Sequence, residues 1–231
     1  MNTVNLMPHP HLTRYFIMLF LLFMPGNIAP AYADSAKSIT IVALGDSLTA
    51  GYGLGAQEGF VPALARSLEK QSEKDASLGK ISIINAGVSG DTSAGALSRV
   101  FWSVPESADG VIVALGGNDA LRGVAPELTE KNLDTIISKL KSRGQAVFLI
   151  GMRAPPNLGR DYTSAFDAIY GKLAQKHNLP YYSFFLDGVA GEIDLNLNDG
   201  IHPNAEGIKE ITKRITPALA RFVKSINMSK N

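Results

Sequence analysis

Five runs of apolar, largely β-branched residues recur along the chain: Ser38–Gly45 (SITIVALG), Ile81–Gly87 (ISIINAG), Gly110–Gly117 (GVIVALGG), Ala146–Gly151 (AVFLIG) and Pro180–Phe185 (PYYSFF). Each is short and nearly continuous, the pattern of a strand covered on both faces. Between the runs, apolar residues return every three or four positions. Phe60, Val61, Leu64, Ala65 and Leu68 share one helical face, and Lys70–Asp75 marks its solvated end. Leu97, Val100, Phe101 and Val104 repeat the spacing up to Pro105, and Leu133, Ile136, Ile137 and Leu140 repeat it up to Gly144. A fourth helix carries Tyr162, Phe166, Ile169, Tyr170 and Leu173, and a last one is predicted from about Pro203 to about Ile226. Strands and helices alternating in this way predict an α/β fold, a three-layer αβα sandwich around a five-stranded parallel sheet.

Residues 1–33 depart from this pattern. Arg14 precedes the unbroken apolar run Tyr15–Met24, and small residues follow at Ala31 and Ala33. That layout predicts a signal peptide cleaved after Ala33, which leaves residues 34–231 as one domain in the periplasm or outside the cell. The apolar run is too short for a helix that must cross a bilayer, which takes about 20 residues, so no lasting membrane anchor is expected. Cysteine is absent, which excludes both a lipid-modified cysteine at the cleavage site and a disulfide framework. Cleavage removes one Arg and no acid, leaving 21 basic against 21 acidic residues. No charge argument for nucleic acid survives.

In open α/β sheets, ligands bind beyond the carboxyl ends of the strands. There the chain carries Gly45-Asp46-Ser47, then Asn85-Ala86-Gly87, Gly116-Gly117-Asn118-Asp119, Arg153-Ala154-Pro155-Pro156 and, after a looser stretch, Asp199-Gly200-Ile201-His202-Pro203. Ester hydrolysis needs a nucleophile, a base, a group that orients the base, and donors for the oxygen that becomes negative. Ser47 is the candidate nucleophile. His202 is the candidate base, because imidazole ordinarily titrates near 6.5. Asp199, three residues earlier, is within reach of the far imidazole nitrogen. Pro203 suits a first helical position and would set His202 at the mouth of the last helix. A protonated ring is disfavoured there by roughly 0.3 to 1 kcal/mol, so a carboxylate partner is useful. The N–H groups of Ser47 and Gly87 and the Asn118 side-chain amide complete a three-donor oxyanion hole.

Singly, each fragment has a plainer reading. Gly45-Asp46-Ser47 also suits a turn or helix cap, Gly87 a turn glycine, Asn118 a left-handed residue, His202 a cap and Asp199 a turn initiator. Their joint placement at the ends of separate strands is what those readings do not predict. Ser89 in GVSGD is the rival nucleophile, and His177 is assigned a capping or surface role. The lysine of a phosphate-binding loop, the glycine spacing of a dinucleotide site and the G-x-S-x-G elbow are all missing. Of the four histidines, His9 and His11 leave with the signal peptide. No metal site and no cofactor are expected.

These blocks, Gly45-Asp46-Ser47-Leu48, Gly87, Gly116-Gly117-Asn118-Asp119 and Asp199-Gly200-Ile201-His202, resemble those of the GDSL, or SGNH, serine hydrolases, over essentially all of residues 34–231. Within that family the stretches GDSLTAGYGL, INAGVSGDTSAGAL, LGGNDALRG, APPNLGRDY and DGIHPN resemble the bacterial arylesterase and multifunctional acyl-CoA thioesterase/lysophospholipase group. The resemblance implies flavodoxin-like topology, a periplasmic, cofactor-free enzyme, and the same roles for Ser47, Gly87, Asn118, Asp199 and His202. It also implies that the loop after the fourth strand borders the acyl pocket, with Pro155, Pro156, Asn157, Leu158 and Gly159 shaping chain-length preference; a structural proline turn is the other reading. The expected function is a serine esterase that acts on a small acyl ester or thioester through an acyl-enzyme. The alternatives are an acetyl esterase acting on carbohydrate and a catalytically silent binding module. Nothing marks an exposed apolar interface, so a monomer is expected.

Overall fold

The apolar runs become strands because helices cover both of their faces. The computed structural model describes Met1 and residues 38–230; apart from Met1, the expected signal peptide lies outside the described residues. The strands are β1 (Ser38–Gly45), β2 (Lys80–Gly87), β3 (Gly110–Ala114), β4 (Ala146–Ile150) and β5 (Tyr181–Tyr182). Among the described residues they form one parallel sheet in the order β2-β1-β3-β4-β5. This is the flavodoxin-like order. On one face, α2 (Phe60–Ser72) packs against α7 (Ala205–Ser229); on the other, α5 (Pro126–Ser142) packs between α3 (Ser93–Ser103) and α6 (Arg160–His177). The predicted three layers are present.

The centre of the sheet is fully buried: Ile41, Leu44, Ile112, Leu115, Phe148 and Leu149 have essentially no exposed surface. Side chains of this kind contribute roughly 1.5 to 3 kcal/mol each when buried, which makes the strand ends a rigid platform. The register then sets what stands on it. Gly45 lies opposite Gly87 on β2 and opposite Ala114 on β3. Asp46, Val88 and Leu115 therefore leave the sheet at one level.

Three expectations need correction. The fifth run keeps only two strand residues, because the chain curls back so that the Phe185 N–H donates to the Gly151 carbonyl at 2.8 Å. Phe101 is not in the core but 45% exposed, with the Lys139 ammonium and the Arg143 guanidinium 4.5 and 3.7 Å from its ring centre. Ala96 and Val100 take the core-facing positions of α3, and the basic last turn of α5 meets the Phe101 ring instead. The last helix starts at Ala205, not Pro203: the Asn204 side chain caps it, accepting from the Glu206 and Gly207 N–H groups at 3.0 Å each. Pro203 instead forms a bridge with Asn196, so His202 stands in a loop ahead of the cap rather than at the helix mouth.

Candidate active site

Ser47 opens α1 (Ser47–Ala50), a single helical turn on the end of β1. Asp46 caps that turn, its Oδ1 accepting the Leu48 N–H at 3.1 Å. A helix start leaves its first N–H groups without intrahelical partners, and the Ser47 N–H is one of these. The Ser47 hydroxyl lies 2.8 Å from His202 Nε2. On the far side of the ring, His202 Nδ1 lies 2.8 Å from Asp199 Oδ2.

The loop that delivers His202 is built by the same aspartate that orients it. Asp199 Oδ1 accepts the N–H groups of Ile201 and His202 at 3.0 Å each, and the Leu197 N–H donates to the His202 carbonyl at 2.7 Å. The Ile201 N–H, followed by the His202 ring and N–H, holds the Asp199 carboxyl below the usual carboxylate range. The ring of Tyr52 covers the imidazole, with centroids 4.5 Å apart and planes tilted by 37°. The Tyr52 N–H donates to the Ser47 carbonyl at 3.1 Å, so this lid residue is tied to the same turn.

Asp46 is 1% exposed, and burial pushes its carboxyl up to about 6 against the Leu48 N–H and the nearby imidazole, which pull it down. Its Oδ2 lies 3.5 Å from Asn118 Nδ2, at the outer limit of a hydrogen bond. Asn118 sits in α4 (Gly117–Leu121), the turn that follows β3, and Nδ2 is anchored on the Asp91 carbonyl at 3.0 Å. Nδ2 thus has two acceptors beside it, and Asn118 lines the cavity next to Ser47.

Gly87 is not where the oxyanion reading needs it. Its N–H is taken by the Asn85 side chain at 2.9 Å, and it does not line the cavity beside Ser47. The reason for glycine there is packing, since a Cβ would run into the backbone of Thr49 and Ala50. Gly90, three residues on, does line the cavity and adopts φ +81°, the left-handed region that favours glycine. Its N–H makes no hydrogen bond among the described residues.

The cavity beside Ser47 has a volume of about 540 Å³. Leu48, Leu121, Met152, Phe184, Leu186 and Ile201 supply much of its apolar wall, and His202, Asn118 and Gly90 its polar end. Such an arrangement suits an apolar chain attached to one polar reacting group.

The sequence profile of the GDSL-like Lipase/Acylhydrolase family matches residues 43–209. The chain belongs to this family. It is 35% identical over 187 residues to Esterase TesA of Pseudomonas aeruginosa, covering 80% of this chain and 90% of that protein. It is 39% identical over 173 residues to thioesterase 1/protease 1/lysophospholipase L1 of Escherichia coli, covering 74% and 79%. The crystal structure of AlinE4, an SGNH-hydrolase family esterase, superposes with a TM-score of 0.66 at 42% identity, covering 80% of this chain and 97% of that one. As a member of an acylhydrolase family, the protein is a carboxylic ester hydrolase.

Within this GDSL hydrolase, the loop after β4 meets the cavity only in part. Arg153, Ala154, Pro155 and Pro156 line it, whereas Asn157, Leu158 and Gly159 do not. A 3₁₀ turn at Pro156–Leu158 rotates Leu158 away to pack on the hydrophobic core. Ser89 lines the cavity without an imidazole beside its hydroxyl, and His177 is bonded to Asp134 on α5, at 2.6 Å, far along α6. Two residues of the site escaped sequence reasoning. Gly90 had a weak signal, as the glycine of a Ser-Gly-Asp turn. Tyr52 had none, because nothing local to GDSLTAGYG says that an imidazole will fold onto it.

Proposed function

We propose that this ester hydrolase works through an acyl-enzyme on Ser47. His202 takes the Ser47 proton while Oγ attacks the acyl carbonyl. Asp199 keeps the ring in the tautomer with Nδ1–H toward its carboxylate, and stabilises the imidazolium that forms. The proton then passes to the departing alkoxide or thiolate, and a water repeats the sequence to release the acid. The negative oxygen is met by the Ser47 and Gly90 N–H groups and Asn118 Nδ2, with Gly90 in place of Gly87.

The observation that carries this reading is the chain Ser47–His202–Asp199, 2.8 Å at each link, opening on an apolar cavity. Relatives named as esterase and as thioesterase/lysophospholipase support both oxygen and sulfur esters as substrates. A cavity of about 540 Å³ favours an acyl chain over an acetyl group. Residues 1–33 read as a cleavable signal peptide, which would deliver the enzyme to the periplasm, where phospholipid-derived esters are more accessible than acyl-CoA. Among the described residues, no helix is long and apolar enough to cross a membrane.

A fluorophosphonate probe tests the mechanism. The purified protein should be labelled and the Ser47→Ala variant should not; equal labelling of both would remove Ser47 as nucleophile. A series of p-nitrophenyl esters of rising chain length tests the substrate: activity should rise beyond acetyl, and an optimum at acetyl would favour the short-acyl esterase.

A further inference from the structure

We propose that Arg153 forms a subsite for a phosphate group on the alcohol side of the ester, so that the enzyme prefers single-chain phospholipid esters to neutral esters of the same acyl chain. The inference rests on the reading of the protein as a Ser47 hydrolase of phospholipid-derived acyl esters.

Arg153 stands just beyond the end of β4 and lines the cavity beside Ser47. Its neighbours Met152 and Ala154 are buried while Arg153 is exposed, so the chain turns this one side chain out to the rim. The loop after β5 is drawn against the same place. The Gly151 N–H donates to the Tyr182 carbonyl at 2.8 Å, and a Cβ on Gly151 would run into the Ser183 carbonyl. That approach sets the Phe184 ring beside Arg153, whose guanidinium carbon lies 4.7 Å from the ring centre. Phe184 also lines the cavity. A long side chain at the surface is thereby held over an apolar wall instead of spreading into water.

Held in this way, the guanidinium keeps its donors. Contact with a ring uses its charge and none of its N–H groups. Among the described residues Arg153 donates no hydrogen bond and pairs with no carboxylate. Asp167 accepts the adjacent Ala154 N–H at 2.9 Å but forms no ion pair with Arg153. By contrast, Arg99 is engaged by Asp91, and Arg122 by the Gly90 carbonyl. The other charged or titratable acid–base side chains on the cavity wall, Asp46 and His202, are bonded to the Leu48 N–H and to Asp199. The rim thus carries a fixed cation with no counter-charge from the protein.

A guanidinium is always charged, and its fork matches two oxygens of a phosphate. With the acyl chain along the apolar wall, the alcohol of the ester faces the opening, where Arg153 stands. A single-chain phospholipid carries its phosphate one glycerol unit from the scissile ester, a span that suits a cavity of about 540 Å³. In an acyl-CoA the whole pantetheine arm separates the phosphates from the thioester, which takes them past this rim.

The test compares octanoyl-lysophosphatidylglycerol with octanoylglycerol, both below micelle-forming concentration. Wild type should cleave the phosphate ester with a KM about five- to tenfold lower and a similar kcat. Arg153→Ala should raise KM for the phosphate ester alone and leave octanoylglycerol and p-nitrophenyl octanoate within about twofold. Arg153→Lys should keep part of the preference, and the melting temperature should not move. In wild type the preference should shrink as sodium chloride is added, because charges at a rim are screened. Octanoyl-CoA should be insensitive to Arg153→Ala; an equal rise in its KM would overturn the lipid assignment. No preference in wild type, or a loss in Arg153→Ala shared by the neutral ester, would overturn the subsite. If Ser47→Ala cleaves p-nitrophenyl octanoate as wild type does, the underlying mechanism fails; if Ser47 is required and Arg153→Ala keeps the phosphate preference, only the subsite fails.

Discussion

His202 and Ser47 are 155 positions apart in the chain, yet their side chains meet at 2.8 Å. The contact joins the turn after β1 to the loop before α7, so it depends on the sheet and on that loop holding their shapes together.

Replacing Asp199 by Asn should lower kcat by about 10² to 10⁴, because an amide no longer enforces the tautomer that leaves Nε2 free to accept the serine proton. The same residue accepts the Ile201 and His202 N–H groups, and Asn retains an oxygen for them. Thermal unfolding should accordingly stay near wild type. Loss of fold without a separate loss of kcat would make Asp199 a loop residue only.

Gly90→Ala and Gly87→Ala should fail in different ways. At Gly90 there is ordinary space for a Cβ but a φ of +81° that disfavours it, so kcat should fall roughly 10- to 100-fold as the turn relaxes. At Gly87 a Cβ meets the Ala50 backbone, which has no room to yield. Stability should drop there by about 1 to 3 kcal/mol, measured by urea unfolding. The opposite assignment of effects would restore Gly87 as the donor.

Asp46 makes stability depend on pH. Its carboxyl is raised from 3.8 to about 6 by burial, so the folded protein holds this proton more tightly than the unfolded chain does. The stabilising contribution is complete below pH 4 and is lost as pH rises through 6. Across that window it amounts to about 3 kcal/mol. Asp46→Asn keeps a helix cap and removes the titration. Relative to wild type, the variant should gain about that much on going from pH 4 to pH 7 in urea unfolding; parallel curves would show that Asp46 does not titrate in this range.

Acyl-chain preference should respond to Ala154 and Phe184, which line the cavity, and not to Leu158, which packs on the core. Ala154→Phe should move the optimum on p-nitrophenyl esters to shorter chains by filling the pocket. Leu158→Asp should lower the melting temperature and leave the chain-length profile as it was. A changed profile in Leu158→Asp would return that residue to the pocket.

Much of the fold was legible because periodicity is local. The five apolar runs and the spacing of Leu133, Ile136, Ile137 and Leu140 state which faces are buried, and the alternation of strand and helix leaves few ways to bury them. The misreadings came where two local rules competed. Pro203 and Asn204 both suit a helix start, and the side chain of Asn204 reached the free N–H groups first. Phe101 met the apolar period of α3, yet cations on α5 gave its ring a partner at the surface.

By itself, the sequence determined the layered architecture, the strand ends as the place for chemistry, and Ser47, Asn118, Asp199 and His202 as the residues to find there. Those follow from hydrophobic period and from the chemistry of side chains, which every short segment carries within it. Only the tertiary structure decided that Gly90 and not Gly87 lines the cavity, that Tyr52 covers the imidazole, and that Pro155 but not Leu158 meets the pocket. Direction was the missing quantity. Where an N–H or a ring points depends on a backbone angle and on partners far away in the chain, and neither is encoded in the residue or its immediate neighbours.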